Sequence, residues 1–585
     1  MTFKQALIAA LVVGSVLALS ASALAQERQP KTVAFTNVNV IPLDHEGVEQ
    51  GRTVLVQGDR IAAVGTRYEV KVPSDAVVID GTGQYLVPGL TDAHVHLPNR
   101  PIPWAHTRDD FGDAPIYLAY GVTTVVNMGG TPEQLEWRKR VEAGTLLGPT
   151  IYTAGPFVNE PRVSTPDEVE RDIVAQAQRG YDLIKFHELP GTTTRLSLPA
   201  YRRMVETARR IRIPLIGHAP VNLGIDEMLR ARQSLAHVGM LSNIYFLPFS
   251  SRTTFLLVTA VASLVLIGMA LTSGVAAVIR RLSKKVRRSE SAVGTIRKVT
   301  AVIALTTTGA FVCAFTFLPG GPLFNSTFLR VAFTVLVSIV VVATLMAGFS
   351  GVRLLRDAVV PTLRKIQALL VVTSAVALTV VMLAFWVPVS WRSSDGSIDR
   401  VAKRVHNAGV FVQSTLIDYD TFSTSGRTAL INDPVVNFLL PSTREAWQQE
   451  PKHGIPFNRL SGFMQKVAGA LHRNGVPIMA GTDAMGMPLI APGSSLHREL
   501  QVLSASGFSP YEVLRSATVV PATFLGKTKE FGTIAVGQRA DLLLVAGNPL
   551  ENLGVLKRPN GVMVRGRWLP RQELDELLKS LASDE

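Results

Sequence analysis

The amino-acid sequence predicts an α/β protein that combines a (β/α)₈ TIM barrel, a small composite β-sandwich domain and an inserted segment of four transmembrane helices. Three observations support this prediction. Strand-like and helix-like segments alternate in 86–250 and again in 391–525, as is typical of a βα-repeat fold. Short β-like runs occur near both ends of the chain, in 26–85 and 526–585. Four long apolar runs interrupt the repeat in 251–390.

The first 25 residues have the features of a secretory signal peptide. Lys4 precedes an apolar core over 6–19, and Ala23-Leu24-Ala25 has the small-residue pattern of a cleavage site. An uncleaved membrane anchor is the alternative. Under either interpretation the sequence predicts that the following domain is exported.

The composite sandwich is predicted from short β-runs at both ends of the chain. Residues 33–41, 53–56 and 60–65 follow one another at the spacing of a small sandwich. Further β-runs return at 539–545 and 561–564. We therefore expect the two ends of the chain to complete one domain.

Eight strand-like segments are expected to close the barrel, since eight is the strand number of this fold. The first leads into His94, and the other seven are 122–126, 150–152, 183–186, 214–216, 234–236, 410–413 and 477–480. Helix signals lie between them. For example, Thr165, Pro166 and Glu168 have the pattern of a capping box at the start of a predicted helix over 166–178.

The four apolar runs are each long enough to cross a hydrocarbon core of ~30 Å, and they cover 253–279, 299–318, 328–349 and 366–389. The net charge of +14 is concentrated between these runs, because 280–298 carries eight Lys and Arg residues and 351–365 carries four. This distribution is typical of cytoplasmic loops and not of a nucleic-acid-binding face.

The sequence therefore predicts a multi-pass membrane protein, with the lipid bilayer as a partner and no nucleic-acid partner. Its catalytic domain is expected on the extracytoplasmic, periplasmic side. Four buried core helices are the alternative for 251–390, but the clustered basic residues fit that interpretation poorly.

Candidate metal ligands occur at the ends of the predicted barrel strands. His94 and His96 lie two residues apart, and positions i and i+2 of a strand share one face, so both imidazoles can bind one ion. Active-site residues of such barrels lie at the C-terminal strand ends. The further candidates there are Lys185, His218, His237 and Asp483.

The motifs around these residues resemble those of metal-dependent hydrolases of the amidohydrolase superfamily, in the branch of imidazolonepropionase-like proteins and prolidase-type dipeptidases. The resemblance covers nearly all of the predicted exported part, but not 251–390. Its matching segments are PGLTDAHVH at 88–96, GVTTV at 121–125, 148–156, GTDA at 481–484, LHREL at 496–500 and 532–549.

The resemblance implies a site for one or two divalent metal ions, with zinc as the default. His94 and His96 would bind one ion, with Asp483 beside it. His218 and His237 would bind the second. The alternative is a mononuclear site.

The same resemblance suggests a role for Lys185, and the sequence itself suggests one for His187, two residues further on. Lys185 would bridge the ions as an N6-carboxylated lysine, because carboxylation converts a repelled ammonium into an anionic oxygen ligand. A plain salt bridge is the alternative for Lys185. His187 would either contact the substrate or have a packing role.

The implied function is hydrolysis of a carbon–nitrogen bond in a small-molecule or dipeptide-like substrate, with Asp483 as the general acid and base. One alternative is a degenerate barrel that acts as a ligand-binding membrane sensor or accessory protein, although the complete ligand set argues against it. Another is a porter formed by the four apolar segments. The substrate, the identity of the metal and the oligomeric state are left open by the sequence.

Overall fold

The computed structural model describes residues 32–98, 102–188, 194–246, 392–422, 424–449 and 458–583. The predicted signal peptide and the four predicted transmembrane segments lie outside these ranges.

The strands of the described residues alternate with helices through the middle of the chain. The strands are β1 (Val33–Val40), β2 (Glu49–Gln57), β3 (Arg60–Thr66), β4 (Val77–Asp80), β5 (Tyr85–Pro88), β6 (Leu90–Val95), β7 (Val122–Asn127), β8 (Thr150–Thr153), β9 (Ile184–Phe186), β10 (Leu215–Gly217), β11 (Ser234–Leu235), β12 (Val412–Gln413), β13 (Ile478–Met479), β14 (Leu542–Val545), β15 (Gly561–Val564) and β16 (Arg567–Pro570). The α-helices are α1 (Ala114–Ala119), α2 (Pro132–Glu142), α3 (Pro166–Arg179), α4 (Leu198–Arg210), α5 (Gly224–Arg230), α6 (Asp395–Asn407), α7 (Asp418–Phe422), α8 (Thr424–Ile431), α9 (Pro441–Gln449), α10 (Asn458–Arg473), α11 (Ser494–Ala505), α12 (Pro510–Ser516), α13 (Val519–Phe524) and α14 (Arg571–Ser583).

The small domain is one sheet built from both ends of the described chain. Its strand order is β16-β15-β14-β5-β1-β2-β3, with β4 also paired to β1. The two ends join where β14 pairs antiparallel with β5, for example Leu543 opposite Val87. Phe35 of β1 and Trp568 of β16 lie edge to face with ring centroids 5.2 Å apart. Because three strands separate β1 from β16, the sheet must curl over its own core. The predicted sandwich is thus a single curled sheet.

The barrel is a ring of eight parallel strands, β6 to β13. Hydrogen-bonded pairing runs through β6-β7-β8 and through β9 to β13. Single bridges close the two gaps, from Ala154 to Leu183 and from Val95 to Ala484. The Ala93 backbone N–H also donates to the carbonyl of Ala480, 2.9 Å away. The eight predicted strands are all present, and they close as a barrel.

The helices follow the predicted signals closely where those signals are strong. α3 begins with the predicted capping box, in which the Thr165 hydroxyl accepts from the Glu168 N–H. Helix α14 was not expected, because it lies in the segment that the sequence assigned to the sandwich. Its Leu574, Leu578 and Leu581 are buried against the main core, at the spacing of one helical face.

The predicted multi-pass membrane localisation, with a periplasmic catalytic domain, is wrong. In the described ranges no helix is both long and apolar enough to cross a membrane. The longest helix there, α10, has 16 residues, or about 24 Å at 1.5 Å per residue, against a hydrocarbon core of ~30 Å. The helices around the barrel are amphipathic, as in α3, where Val169 and Ile173 are buried and the opposite face is polar. The transmembrane insertion and the bilayer contact gain no support.

Candidate metal centre

The carboxyl ends of the barrel strands gather the predicted ligands at one place. His94 lies in β6 and Lys185 in β9, whereas His218, His237 and Asp483 follow β10, β11 and β13. The His94 ring centroid lies 4.5 Å from that of His237, and the His237 and His218 centroids are 5.1 Å apart. Parallel strands of a barrel all end on one face, so residues that are distant in sequence become neighbours.

Two groups of potential ligand atoms share one carboxylate. The first group consists of His94, His96 and Asp483, and the second of His237, Asp418 and Asp483, with all atoms of a group within 4.8 Å of one another. Asp483 Oδ1 lies 3.1 Å from His96 Nε2 and 3.5 Å from His94 Nε2. The geometry therefore brings four further potential ligands together around Asp483.

Several atoms of this cluster are buried without a hydrogen-bond partner among the residues that the structure describes. They are His94 Nε2, Lys185 Nζ, Asp418 Oδ1 and Asp483 Oδ1. Burial of an unsatisfied polar atom costs about 1–3 kcal/mol, so four in one place require an explanation. A divalent cation would satisfy the nitrogen and the two carboxylate oxygens, and imidazole with carboxylate is a donor set that zinc accepts. The residues fit a metal ion.

The remaining ring nitrogens of the histidines are fixed by neighbours. His94 Nδ1 lies 2.8 Å from Gln413 Oε1, and the Gln413 amide donates to the carbonyl of Ala93. His218 Nδ1 lies 2.9 Å from the carbonyl of Glu188. Both acceptors require the proton on Nδ1, which leaves the Nε2 lone pair for a metal.

The seventh barrel strand, β12, supplies side chains that the sequence prediction missed. Gln413 ends this strand, and Thr415 follows it with its Oγ1 2.8 Å from His237 Nδ1. Asp418, at the start of α7, places Oδ2 3.4 Å from the same nitrogen. The rule that C-terminal strand ends face the site was sufficient to indicate Gln413 and Thr415, but it was applied only to familiar metal ligands.

The loop that carries Thr415 and Asp418 is held from behind by a buried carboxylate. Glu499 of α11 accepts hydrogen bonds from the backbone N–H groups of Leu416, at 3.0 Å, and Ile417, at 2.7 Å. Glu499 is completely buried. Its carboxylate therefore fixes the path of the chain that reaches the second ligand group.

Three residues of the site adopt left-handed backbone conformations, namely His237 with φ 67°, Thr415 with φ 38° and Asp483 with φ 60°. This conformation costs roughly 1–2 kcal/mol for a residue with a side chain. Asp92 helps to offset this cost at Asp483, because its carboxylate accepts hydrogen bonds from the Thr482 N–H at 3.0 Å and from the Thr482 hydroxyl at 2.6 Å. Buried Asp92 thus holds the turn that presents Asp483.

Burial dominates the electrostatics of the site. It lowers the pKa of Lys185 to about 7, although Asp483 and Asp418 oppose this shift. It also raises the pKa of Asp418, together with the charge of Asp483. For Asp483, burial is outweighed by the contact with His96 and by other neighbouring charges, which bring the pKa to about 2. Burial lowers the pKa of His94 well below its ordinary value. The cluster therefore favours neutral imidazoles and an ionised Asp483.

His187 lies at the edge of the cluster. Its ring stacks on Phe157 with centroids 4.4 Å apart and planes 6° from parallel, and its centroid is 4.2 Å from that of His218. Burial lowers its pKa to about 4. These contacts are those of a packing role, and the substrate role of His187 stays a prediction.

Comparison with known proteins agrees with the fold. Residues 376–569 match the model of the Amidohydrolase family. Among solved structures, bottromycin amidohydrolase is 20% identical with a TM-score of 0.56, covering 95% of this chain and 91% of that one. A putative prolidase from Bifidobacterium longum is 18% identical with a TM-score of 0.51, covering 95% of this chain and all of that one. The fold is therefore that of the amidohydrolase superfamily, with prolidase-like neighbours.

Curated relatives match shorter segments. The dihydroorotase of Syntrophotalea carbinolica is 42% identical over 199 residues, which is 32% of this chain and 42% of the relative. The enamidase of Eubacterium barkeri is 34% identical over 115 residues, which is 19% of this chain and 28% of the relative. The matches thus span less than half the length of these relatives. The curated relatives support the predicted enzyme class, hydrolases that act on carbon–nitrogen bonds, and proteins of the Amidohydrolase family generally bind divalent metals.

Proposed function

We propose that this chain is a metal-dependent amidohydrolase that cleaves a carbon–nitrogen bond in a small-molecule or dipeptide-like substrate. The observation that carries the proposal is the pair of ligand groups that share Asp483 at the carboxyl ends of the barrel strands. The fold and the family match support the same conclusion.

The residues proposed to hold the metal are those of the strand ends. His94 and His96 would hold one divalent ion beside Asp483, and His218 and His237 would hold a second. Zinc is the proposed metal, because neutral imidazole and carboxylate groups suit it. When bound, such an ion lowers the pKa of a water molecule and polarises the scissile carbonyl.

Lys185 is proposed to be N6-carboxylated. Only the neutral amine can attack CO₂, forming the N–C bond of a carbamate and releasing one proton. The pKa of about 7 that burial gives Lys185 makes this neutral form accessible near neutral pH. Its Nζ has no hydrogen-bond partner within the described residues. Carboxylation would give the buried end of the Lys185 side chain oxygen atoms that can bind the metals.

Asp483 is proposed as the general base and acid. Its low pKa keeps the carboxylate ionised, and Oδ1, which accepts no hydrogen bond within the described residues, would accept a proton from the attacking water. The carboxyl group then returns that proton to the leaving nitrogen, so that amide and water yield a carboxylate product and an amine. Asp92 and Thr482 keep the carboxylate in place during both transfers. A barrel that only binds a ligand has no need of this arrangement and is not favoured.

The test is elemental analysis of the purified full-length protein, together with His94→Ala and Asp483→Ala variants and an exposed-histidine control, His406→Ala. We expect about two divalent ions per chain in the wild type and the control, with fewer in the two site variants. A screen of dipeptides and N-acyl amino acids should then show hydrolysis that follows metal content. About one ion per chain would remove the bridging role of Lys185. No bound metal would refute the proposal.

A further inference from the structure

Asp418 is a partly buried carboxylate that the predicted ligand set does not include. It is the first residue of α7 and lies five positions beyond the end of β12. Its side chain is 13% exposed, and the loop leading to it is fixed by Glu499 through two backbone hydrogen bonds. A carboxylate held beside His237 and Asp483 requires a role.

The two oxygens of Asp418 have different surroundings. Oδ2 lies 3.4 Å from His237 Nδ1, a nitrogen that already bonds Thr415 at 2.8 Å. Oδ1 is buried and has no hydrogen-bond partner in the part of the chain that the structure describes. One Asp418 oxygen also falls within 4.8 Å of ligand atoms of both His237 and Asp483. Orientation of His237 therefore accounts for one oxygen only.

Charge balance indicates what the other oxygen faces. Asp418 and Asp483 place carboxylate oxygens within 4.8 Å of each other, so their negative charges repel. The charge of Lys185 interacts with both carboxylates, but one ammonium cannot neutralise two carboxylates. N6-carboxylation would turn Lys185 into a third anion. A divalent cation between Asp418, Asp483 and His237 would compensate these charges directly.

We propose that Asp418 joins His218 and His237 as a ligand of the second metal ion, with Asp483 shared between the two ligand groups. This inference rests on the proposed function for the presence of metals, but it concerns binding and not turnover. The second position is thereby richer in carboxylate than the first, which carries His94 and His96. Carboxylate oxygen favours harder ions such as manganese, so the two positions differ in their metal preference.

The test is titration of the metal-free full-length protein with cobalt(II), followed by the visible spectrum and by competition with a chelator. The variants are Asp418→Asn, Asp418→Glu and Thr415→Val, with circular dichroism to verify folding. In Asp418→Asn we expect the first ion to bind as in the wild type, the second to bind at least tenfold more weakly, and its absorption bands to change. Asp418→Glu, which keeps a carboxylate, should recover part of the affinity.

Thr415→Val separates direct binding from orientation. It removes the hydroxyl that holds His237 and leaves the Asp418 carboxylate. The affinity for the second ion should therefore fall less than in Asp418→Asn. Equal weakening in both variants, or wild-type titration of Asp418→Asn, would overturn the inference. If cobalt binds as expected but no amide is hydrolysed, the proposed function fails and the inference stands. If the wild type binds no cobalt, both fail.

Discussion

Acidification should destabilise the fold through one buried histidine outside the metal centre. His497 of α11 is 4% exposed, and its Nε2 lies 2.8 Å from the carbonyl of Tyr120. Its Nδ1 is buried with no hydrogen-bond partner among the described residues. Burial lowers the pKa of His497 to about 4, from an ordinary value of 6.5. The folded protein therefore keeps this imidazole neutral at pH values where the unfolded chain protonates it.

The sign and size of the effect follow from linkage. Between pH 6.5 and pH 4 the unfolded state binds more protons, so the free energy of unfolding falls as the pH falls. The contribution of His497 is complete above pH 6.5 and is lost progressively down to pH 4. For these two pKa values the loss between pH 7.5 and pH 5.0 is about 2 kcal/mol.

The assay is urea-induced unfolding followed by tryptophan fluorescence at both pH values. His497→Gln keeps a donor for the Tyr120 carbonyl but cannot titrate. It should be less stable than the wild type at pH 7.5, and the difference should shrink by about 2 kcal/mol at pH 5.0. His406→Gln, a change at an exposed histidine, measures the effect of merely removing an imidazole. A wild-type to His497→Gln difference that stays constant with pH would refute the reasoning.

Two further predictions concern side chains that hold the site and the domain junction. Gln413→Leu removes the hydrogen-bond acceptor of His94 Nδ1, so metal affinity measured by chelator competition should fall roughly 10–100-fold. Gln413→Glu keeps an acceptor and should retain most of the affinity. Wild-type affinity in the Leu variant would contradict the orienting role of Gln413. Asp541→Asn leaves the guanidinium of Arg539, 4% exposed and paired at 2.5 Å, without its charge partner. The free energy of unfolding should fall by about 3 kcal/mol. An Arg539→Met/Asp541→Leu double variant should recover much of this lost stability. An unchanged urea midpoint in Asp541→Asn would show that the ion pair contributes little.

The sequence was sufficient for most of the barrel, because its signals are local. Helix α3 carries its own cap, and each barrel strand is a short apolar run whose position can be predicted without knowledge of its partners. The ligands at the strand ends were predicted by the same logic, since the end of a strand defines the face on which its next residue lies. Helix α14 was missed because the sandwich predicted from the β-runs at 539–545 and 561–564 was extended to residue 585.

Contacts between residues far apart in the sequence could not be predicted. Asp418 stands five residues past its strand, and nothing in its neighbours marks it as close to His237. Glu499 was part of a quoted motif, but its role depends on the backbone of residues 416 and 417, which lie more than 80 positions away. Hydropathy, in turn, measures composition along the chain and not location, so it predicted a membrane protein that the described helices do not support.

The same long-range contacts make the site a reporter of barrel closure. His94 is oriented by a residue 319 positions later, His237 by one 178 positions later, and Asp92 reaches 390 positions to Thr482. None of these pairs can form until β12 and β13 have joined the ring between β11 and β6. The proposed metal ion would bind only the assembled ligands, so its binding would stabilise the closed barrel over the unfolded chain. Metal binding and completion of the barrel would then be one coupled equilibrium, and a change in β12 far from any ligand would weaken both.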